Sequence, residues 1–149
     1  ADAAPALYGD FSVPAERFED FTQAIHEIEA KEHVDLPLSG DILRRVFQMY
    51  PQLALSKVSD KQKTLKLLDV IGRLVASHGG TMVAQGGEGR IKARASYGAD
   101  DAREVAMYEA IRAVFDPHHT LSPGVKQAID MRLLAKQLRS AHQAGYSER

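Results

Sequence analysis

Leu7, Gly9, Phe11 and Val13 alternate with Tyr8, Asp10 and Ser12. This period of two predicts a strand, closed by Pro14. From Ala15 to His33 the period lengthens. Phe18, Phe21, Ile25 and Ile28 fall on one helical stripe, while Glu16, Glu19, Asp20, Glu27, Glu29 and Glu32 take the other side. Val34, Leu36 and Leu38 alternate again, and Ser39-Gly40-Asp41 is expected as a turn. Ile42 to Leu55, interrupted by Pro51, is expected to be extended, with a helix over part of it as the alternative. Ser59-Asp60 is a helix N-cap signal, and Leu65, Leu68, Ile71, Val75 and His78 follow at helical spacing up to Gly79-Gly80.

Thr81 to Val83 predicts a strand that enters the turn "GGEG" (Gly86–Gly89) and returns from Arg90 to Ser96. Asp101-Ala-Arg-Glu104 reads as a capping box opening a helix that buries Val105, Tyr108, Ile111 and Phe115. "DPHHTLSPG" is a loop. A last helix, about 125–143, carries Ile129, Leu133, Leu134 and Leu138. The order is β-α-β-β-α-β and then two helices. It predicts an α+β fold of the ferredoxin-like split type, an antiparallel sheet with helices on one face. Residues 1–149 read as one domain, with a βαββαβ core over 1–98 and a helical segment over 99–149.

Composition narrows the function. The chain has 149 residues, 44% apolar and 26% charged, with Lys plus Arg at 19 against Asp plus Glu at 20. That balance argues against a general nucleic-acid binder. No apolar run approaches the roughly 20 residues a membrane span needs. The N-terminal "ADAAPALYGD" lacks the basic and apolar regions of a signal peptide, so a cytoplasmic location is expected. There is no cysteine, which excludes disulfides, thiolate metal sites and cysteine nucleophiles.

The glycine turn is the first candidate for chemistry. It matches neither phosphate-binding spacing, G-x-x-x-x-G-K-[ST] nor G-x-G-x-x-G. Glycines at 86, 87 and 89 can adopt positive φ and let a ligand approach the backbone, and Arg90 could hold a carboxylate or phosphate. The alternative is a hairpin whose glycines serve geometry and whose charges are solvated. His118-His119 lacks any metal-ligand spacing. Arg44-Arg45 either binds an anion or simply flanks the sheet. No serine sits in a nucleophile elbow. Spacing alone names no reaction.

Two stretches carry a resemblance. "RLVASHGGTMVAQGGEGRIKA" (Arg73–Ala93) and "AIRAVFDPHHTLSPGVKQ" (Ala110–Gln127) resemble, in order and spacing, two signature segments of the C-terminal domain of FAD-linked oxidases. These are flavoenzymes of the vanillyl-alcohol-oxidase type, including flavin-dependent D-lactate, glycolate and 2-hydroxyglutarate dehydrogenases. The βαββαβ order is also that of the family's cap, or substrate, domain. The resemblance implies FAD bound mainly by an N-terminal domain of the same parent protein, absent from this chain. That leaves either an excised half or a truncated descendant, membrane-associated only through the parent enzyme. It implies a small hydroxylated substrate facing Gln85, Gly86, Gly87, Glu88 and Arg90, with Asp41 and Arg45 opposite. Ser122-Pro123-Gly124 would turn toward the flavin domain. The last two helices would meet that domain or, without it, a second copy in a homodimer.

The departures matter as much. In the family's hydroxy-acid dehydrogenases, a G-H-x-G-D-G-N-x-H segment supplies two metal-ligand histidines and a flavin-contacting asparagine. Here "LPLSGDILRRVFQ" keeps Gly40 and Asp41 but puts Leu43 at the asparagine place and Arg45 at the second histidine place. Gln85 stands for the ligand glutamate, Gly86 for the catalytic histidine and Ser122 for the asparagine of the ending. An arginine would repel a divalent ion, so the resemblance implies no metal. The rival expectation is a stand-alone ferredoxin-like module that binds a small ligand or a protein without redox activity.

Overall fold

The computed structural model describes residues 8–93, 95, 101–127 and 130–138. Its elements are strand β1 (Asp10–Ser12), a 3₁₀ turn (Ala15–Arg17), helix α1 (Phe18–Glu32), strands β2 (Leu38–Asp41) and β3 (Val46–Met49), and helix α2 (Val58–Ser77). Helices α3 (Ala102–Phe115) and α4 (Met131–Gln137) follow. The class is α+β, as expected. The described strands form an antiparallel sheet in the order β1-β3-β2, with Phe11 opposite Phe47 and Gly40 also opposite Phe47.

One face of this sheet is closed by α1 and α2. Phe11, Phe47 and Met49 point into that face and are buried with Phe21, Ile25, Leu67, Leu68, Ile71 and Val75. Phe18 stacks on Phe47 with centroids 4.5 Å apart, and Phe21 meets Phe11 at 5.7 Å. The stripe along α1 read from its period thus packs where its spacing directs it. Lys66 pairs with Glu32 at 2.8 Å and Lys63 donates to the Glu32 carbonyl, so α2 holds the C-terminal end of α1. Burying side chains of this size stabilises the fold by roughly 1.5–3 kcal/mol each, the largest favourable contribution in a domain this small.

Several expectations are corrected. The first strand is shorter than 7–13, because Gly9 takes a φ of +58° and breaks the alternation. Tyr8 therefore turns inward, fully buried, and donates its hydroxyl to the Thr64 carbonyl at 2.9 Å; Leu7 lies outside the described residues. Ser39-Gly40-Asp41 is not a turn but the body of β2. The turn is Ile42–Arg45, where Asp41 Oδ1 accepts from the amides of Leu43 and Arg44 and Arg45 adopts a left-handed φ of 58°. Ser59-Asp60 does not cap α2. The helix begins at Val58, and Asp60 instead accepts from the Ala54 amide.

The expected fourth strand is reduced to a bridge, with Ser12 and Thr81 exchanging backbone hydrogen bonds at 2.8 and 3.0 Å. Thr81 occupies the edge that a fourth strand takes in a split βαββαβ sheet. The return strand over Arg90–Ser96 is absent from the described residues: Ala93 and Ala95 are helical, and Ser96 lies outside the described set. The capping box at Asp101 and Glu104 is present. The face of α3 expected to be buried is not. Val105 and Tyr108 are half-buried, and Ile111 and Phe115 are exposed. The last helix is shorter than 125–143. It buries Leu134 but leaves Leu133 half-exposed, and Ile129 lies outside the described residues.

Gly40 tests the register. A Cβ there would collide with the Val46 carbonyl oxygen and the Phe47 backbone. Gly40→Ala is expected to lower urea-unfolding stability by about 1–3 kcal/mol. A variant as stable as the parent would contradict the β2–β3 pairing.

Candidate functional site

The site is organised around a carboxylate that period-two reading treats as a solvent-facing strand position. Asp10 Oδ2 accepts from the amides of Gln85 and Gly86, at 2.6 and 2.5 Å. Its Oδ1 pairs with Lys92 Nζ at 3.2 Å, and the same ammonium donates to the Asp10 carbonyl at 2.8 Å. Lys92 is 3% exposed and reaches Asp10 across Gly9, where a Cβ would stand 3.2 Å from Nζ. Partial burial works to raise the Asp10 carboxyl. The amides of Gly86 and Gln85 and the Lys92 ammonium outweigh it and hold the group below the usual carboxylate range.

From this anchor the glycine turn reaches the other way. Glu88 is 4% exposed, and its Oε1 accepts from the Lys126 amide at 2.7 Å while Oε2 lies 3.4 Å from Lys126 Nζ. Arg90 Nε donates to the Pro123 carbonyl at 2.7 Å. The charges expected to meet a ligand are therefore engaged within the protein. The positive-φ glycine of the turn is Gly89, at 57°; Gly87 is not, and a Cβ there would meet nothing.

Gln85, Gly86 and Gly87 remain exposed on the outer rim. Asp41 at the end of β2 and Arg45 on the β2–β3 turn are not brought to the glycine turn. Two strand spacings, about 10 Å, separate the β2 edge from β1. Between these places lies the sheet's second face. By strand alternation it presents Asp10 and Ser12, Val46 and Gln48, and Ser39 and Asp41. No described helix closes it in the way α1 and α2 close the core face. Ser12 Oγ lies 3.0 Å from Thr81 Oγ1, and Tyr50 donates its hydroxyl to Gln48 Oε1 at 2.6 Å.

The segment Ser122-Pro123-Gly124 forms a tight loop, with φ of 43° at Ser122 and 82° at Gly124. It follows the buried carboxylate of Asp116, which accepts from the Thr120 and Leu121 amides and the Thr120 hydroxyl. Beside it a cleft of about 260 Å³ opens, lined by Tyr108, Ile111, Arg112, Phe115, Leu121 and Lys126 among others. Sequence reading missed Asp10 and this cleft. Asp10 lies 75 residues from the amide it binds, and no local pattern links the two.

A dinucleotide cofactor needs donors to its pyrophosphate. The amides of Gln85 and Gly86 already hold the Asp10 carboxylate, while Arg90 gives Nε–H to Pro123 and is otherwise exposed. Among the described residues no three His, Cys, Asp or Glu side chains converge as a metal site would require, and no helix is long and apolar enough to cross a membrane. A family model described as FAD linked oxidases, C-terminal domain, matches residues 2–125. No curated protein matches the chain.

The Asp10 carboxyl, lowered in the folded state, contributes stability that is present above its unfolded value near 3.9 and lost as pH falls through the lower folded value. Asp10→Asn should reduce stability at pH 7 by about 1–3 kcal/mol, because it leaves the Lys92 ammonium buried without its partner. It should also flatten the acid limb of a stability–pH curve measured by urea unfolding. An unchanged acid limb would contradict the clamp.

Proposed function

Because the chain belongs to the C-terminal domain family of FAD-linked oxidases, we propose that it is the substrate-cap domain of an FAD-dependent oxidoreductase acting on a small hydroxylated substrate. The observation that carries this reading is the asymmetry of the sheet. One face is filled by phenylalanines and two helices, and the other is polar and bordered by a braced glycine turn. A polar, uncovered face is ordinary for an antiparallel sheet, and in a domain of this family it is the face free to roof a pocket.

In this reading Gln85, Gly86 and Gly87 form one wall of the pocket, and Asp41 and Arg45 stand at the other end of the sheet. Gln48 and Ser39 supply hydrogen-bonding groups between them. Glu88 and Arg90 act indirectly, by fixing the turn against the 122–126 loop. The chain shapes the pocket, orients the substrate hydroxyl and excludes water. FAD belongs to the N-terminal domain that family membership implies in the parent protein, and Ser122-Pro123-Gly124 faces that domain. Arg45 and Gln85 in the pocket wall favour an anionic or neutral substrate over a divalent ion.

The test uses the complete parent polypeptide. It should carry stoichiometric flavin that bleaches anaerobically with a small hydroxy acid or alcohol. Gln48→Ala should lower kcat/KM by about tenfold, the loss of one hydrogen bond of ~1.4 kcal/mol, without releasing flavin. The present chain alone should bind no flavin. Stoichiometric flavin on this chain, or a flavin-free parent, would overturn the reading.

A further inference from the structure

The hydroxyls on the open face of the sheet have their protons already placed. A serine or threonine hydroxyl carries one proton to give. Thr81 gives its own to the Val83 carbonyl at 2.6 Å. Ser12 Oγ lies 3.0 Å from Thr81 Oγ1, so Ser12 must be the donor in that contact. Its proton is spent as well, and Ser12 has only lone pairs left for a ligand. Gln48 is the reverse. Its Oε1 accepts from the Tyr50 hydroxyl at 2.6 Å, which leaves the two Nε2 protons to be given. The face therefore offers an acceptor on β1 and a donor on β3.

Charge narrows the ligand further. Lys92 is buried and paired with Asp10. Arg44 Nε lies 3.5 Å from Asp41 Oδ2, and Asp41 Oδ1 accepts from the Leu43 and Arg44 amides. Arg45 is exposed on the hairpin, roughly 10 Å along the chain from Gln48. The next position on this face is Val46, and Asp41 lies opposite Val46. A carboxylate drawn to Arg45 would meet an apolar side chain and a like charge. A carboxylate also accepts without giving, so Ser12 has nothing to offer it. A hydroxyl both gives and accepts. Ser12 lies opposite Val46 and Gln48 opposite Asp10, which makes Ser12 and Gln48 diagonal neighbours, with Cα atoms roughly 7–8 Å apart. One hydroxyl is too small to serve both groups, and two hydroxyls on a short carbon chain suit them.

We infer that the open face selects an uncharged polyol, one hydroxyl donating to Ser12 Oγ and another accepting from Gln48 Nε2, over the acid of the same carbon skeleton. This rests on the cap-domain reading and narrows its substrate.

The test measures anaerobic flavin bleaching in the complete parent polypeptide with two matched pairs, glycerol against glycerate and sorbitol against gluconate. The polyol of each pair should show kcat/KM about tenfold or more above the acid, the loss expected where a hydrogen-bonding group is left unmatched. Ser12→Ala should lower the polyol value by about tenfold and leave the acid value in place. Gln48→Lys supplies a cation on the face and should reverse the preference, an outcome that a merely misfolded variant does not give. Equal values within each pair, a preference for the acids, or bleaching by a monohydric alcohol and by neither polyol would overturn the inference and leave the cap-domain reading standing. A parent without flavin, or one whose flavin none of these compounds bleaches, would overturn both.

Discussion

The fold beyond the helix-covered sheet depends on one carboxylate. Asp10 is held by two turn amides and one buried ammonium. Without it the segment from Met82 to Lys92 would be held against the sheet by the Ser12–Thr81 bridge and by the core contacts of Met82 and Ile91 alone. With it the segment becomes a brace. Asp10 fixes Gln85 and Gly86, Glu88 and Arg90 fix the 122–126 loop, and Lys126 covers the face of Tyr108 on α3. Each bond in this series is worth roughly 0.5–3 kcal/mol, depending on charge and burial. Interrupting the first should loosen those that follow.

Periodicity made the helices and the class legible. Phe18, Phe21, Ile25 and Ile28 on α1, and Leu68, Ile71 and Val75 on α2, lie where their spacing puts them. The Asp101 box is a local pattern with a local partner, and it formed as read. What escaped was set by residues far apart. Gly40 reads as a turn glycine until the neighbouring strand shows that only a glycine fits against Val46 and Phe47. Asp10 reads as a solvent position until the turn from 75 residues away lies against it. The burial of Lys92 needs both Gly9 and Asp10, and no local pattern marks it. On α3 the period was right and the burial was wrong, because a helix stripe states that a surface needs a partner without saying whether this chain supplies it.

The candidate site was legible as a place more than as a chemistry. The glycine turn braces the structure: Glu88 and Lys92 are buried, and the exposed Arg90 donates to the Pro123 carbonyl. The residues left for a ligand are the rim amide of Gln85, the polar strand positions and the hairpin arginine. The amides of Gln85 and Gly86 are engaged by Asp10 in the same way.

The central claim is that the glycine turn is filled from within by Asp10 and not kept open for an anion. Proton–nitrogen NMR spectra of the chain, followed from neutral to acid pH, test it most directly. The amide signals of Gln85 and Gly86 should move together with a single midpoint below the ordinary aspartate value of about 3.9, and should be lost from that titration in Asp10→Asn. Millimolar phosphate or FAD at neutral pH should leave them in place. Amides that ignore the Asp10 titration but shift on addition of either anion would contradict the account.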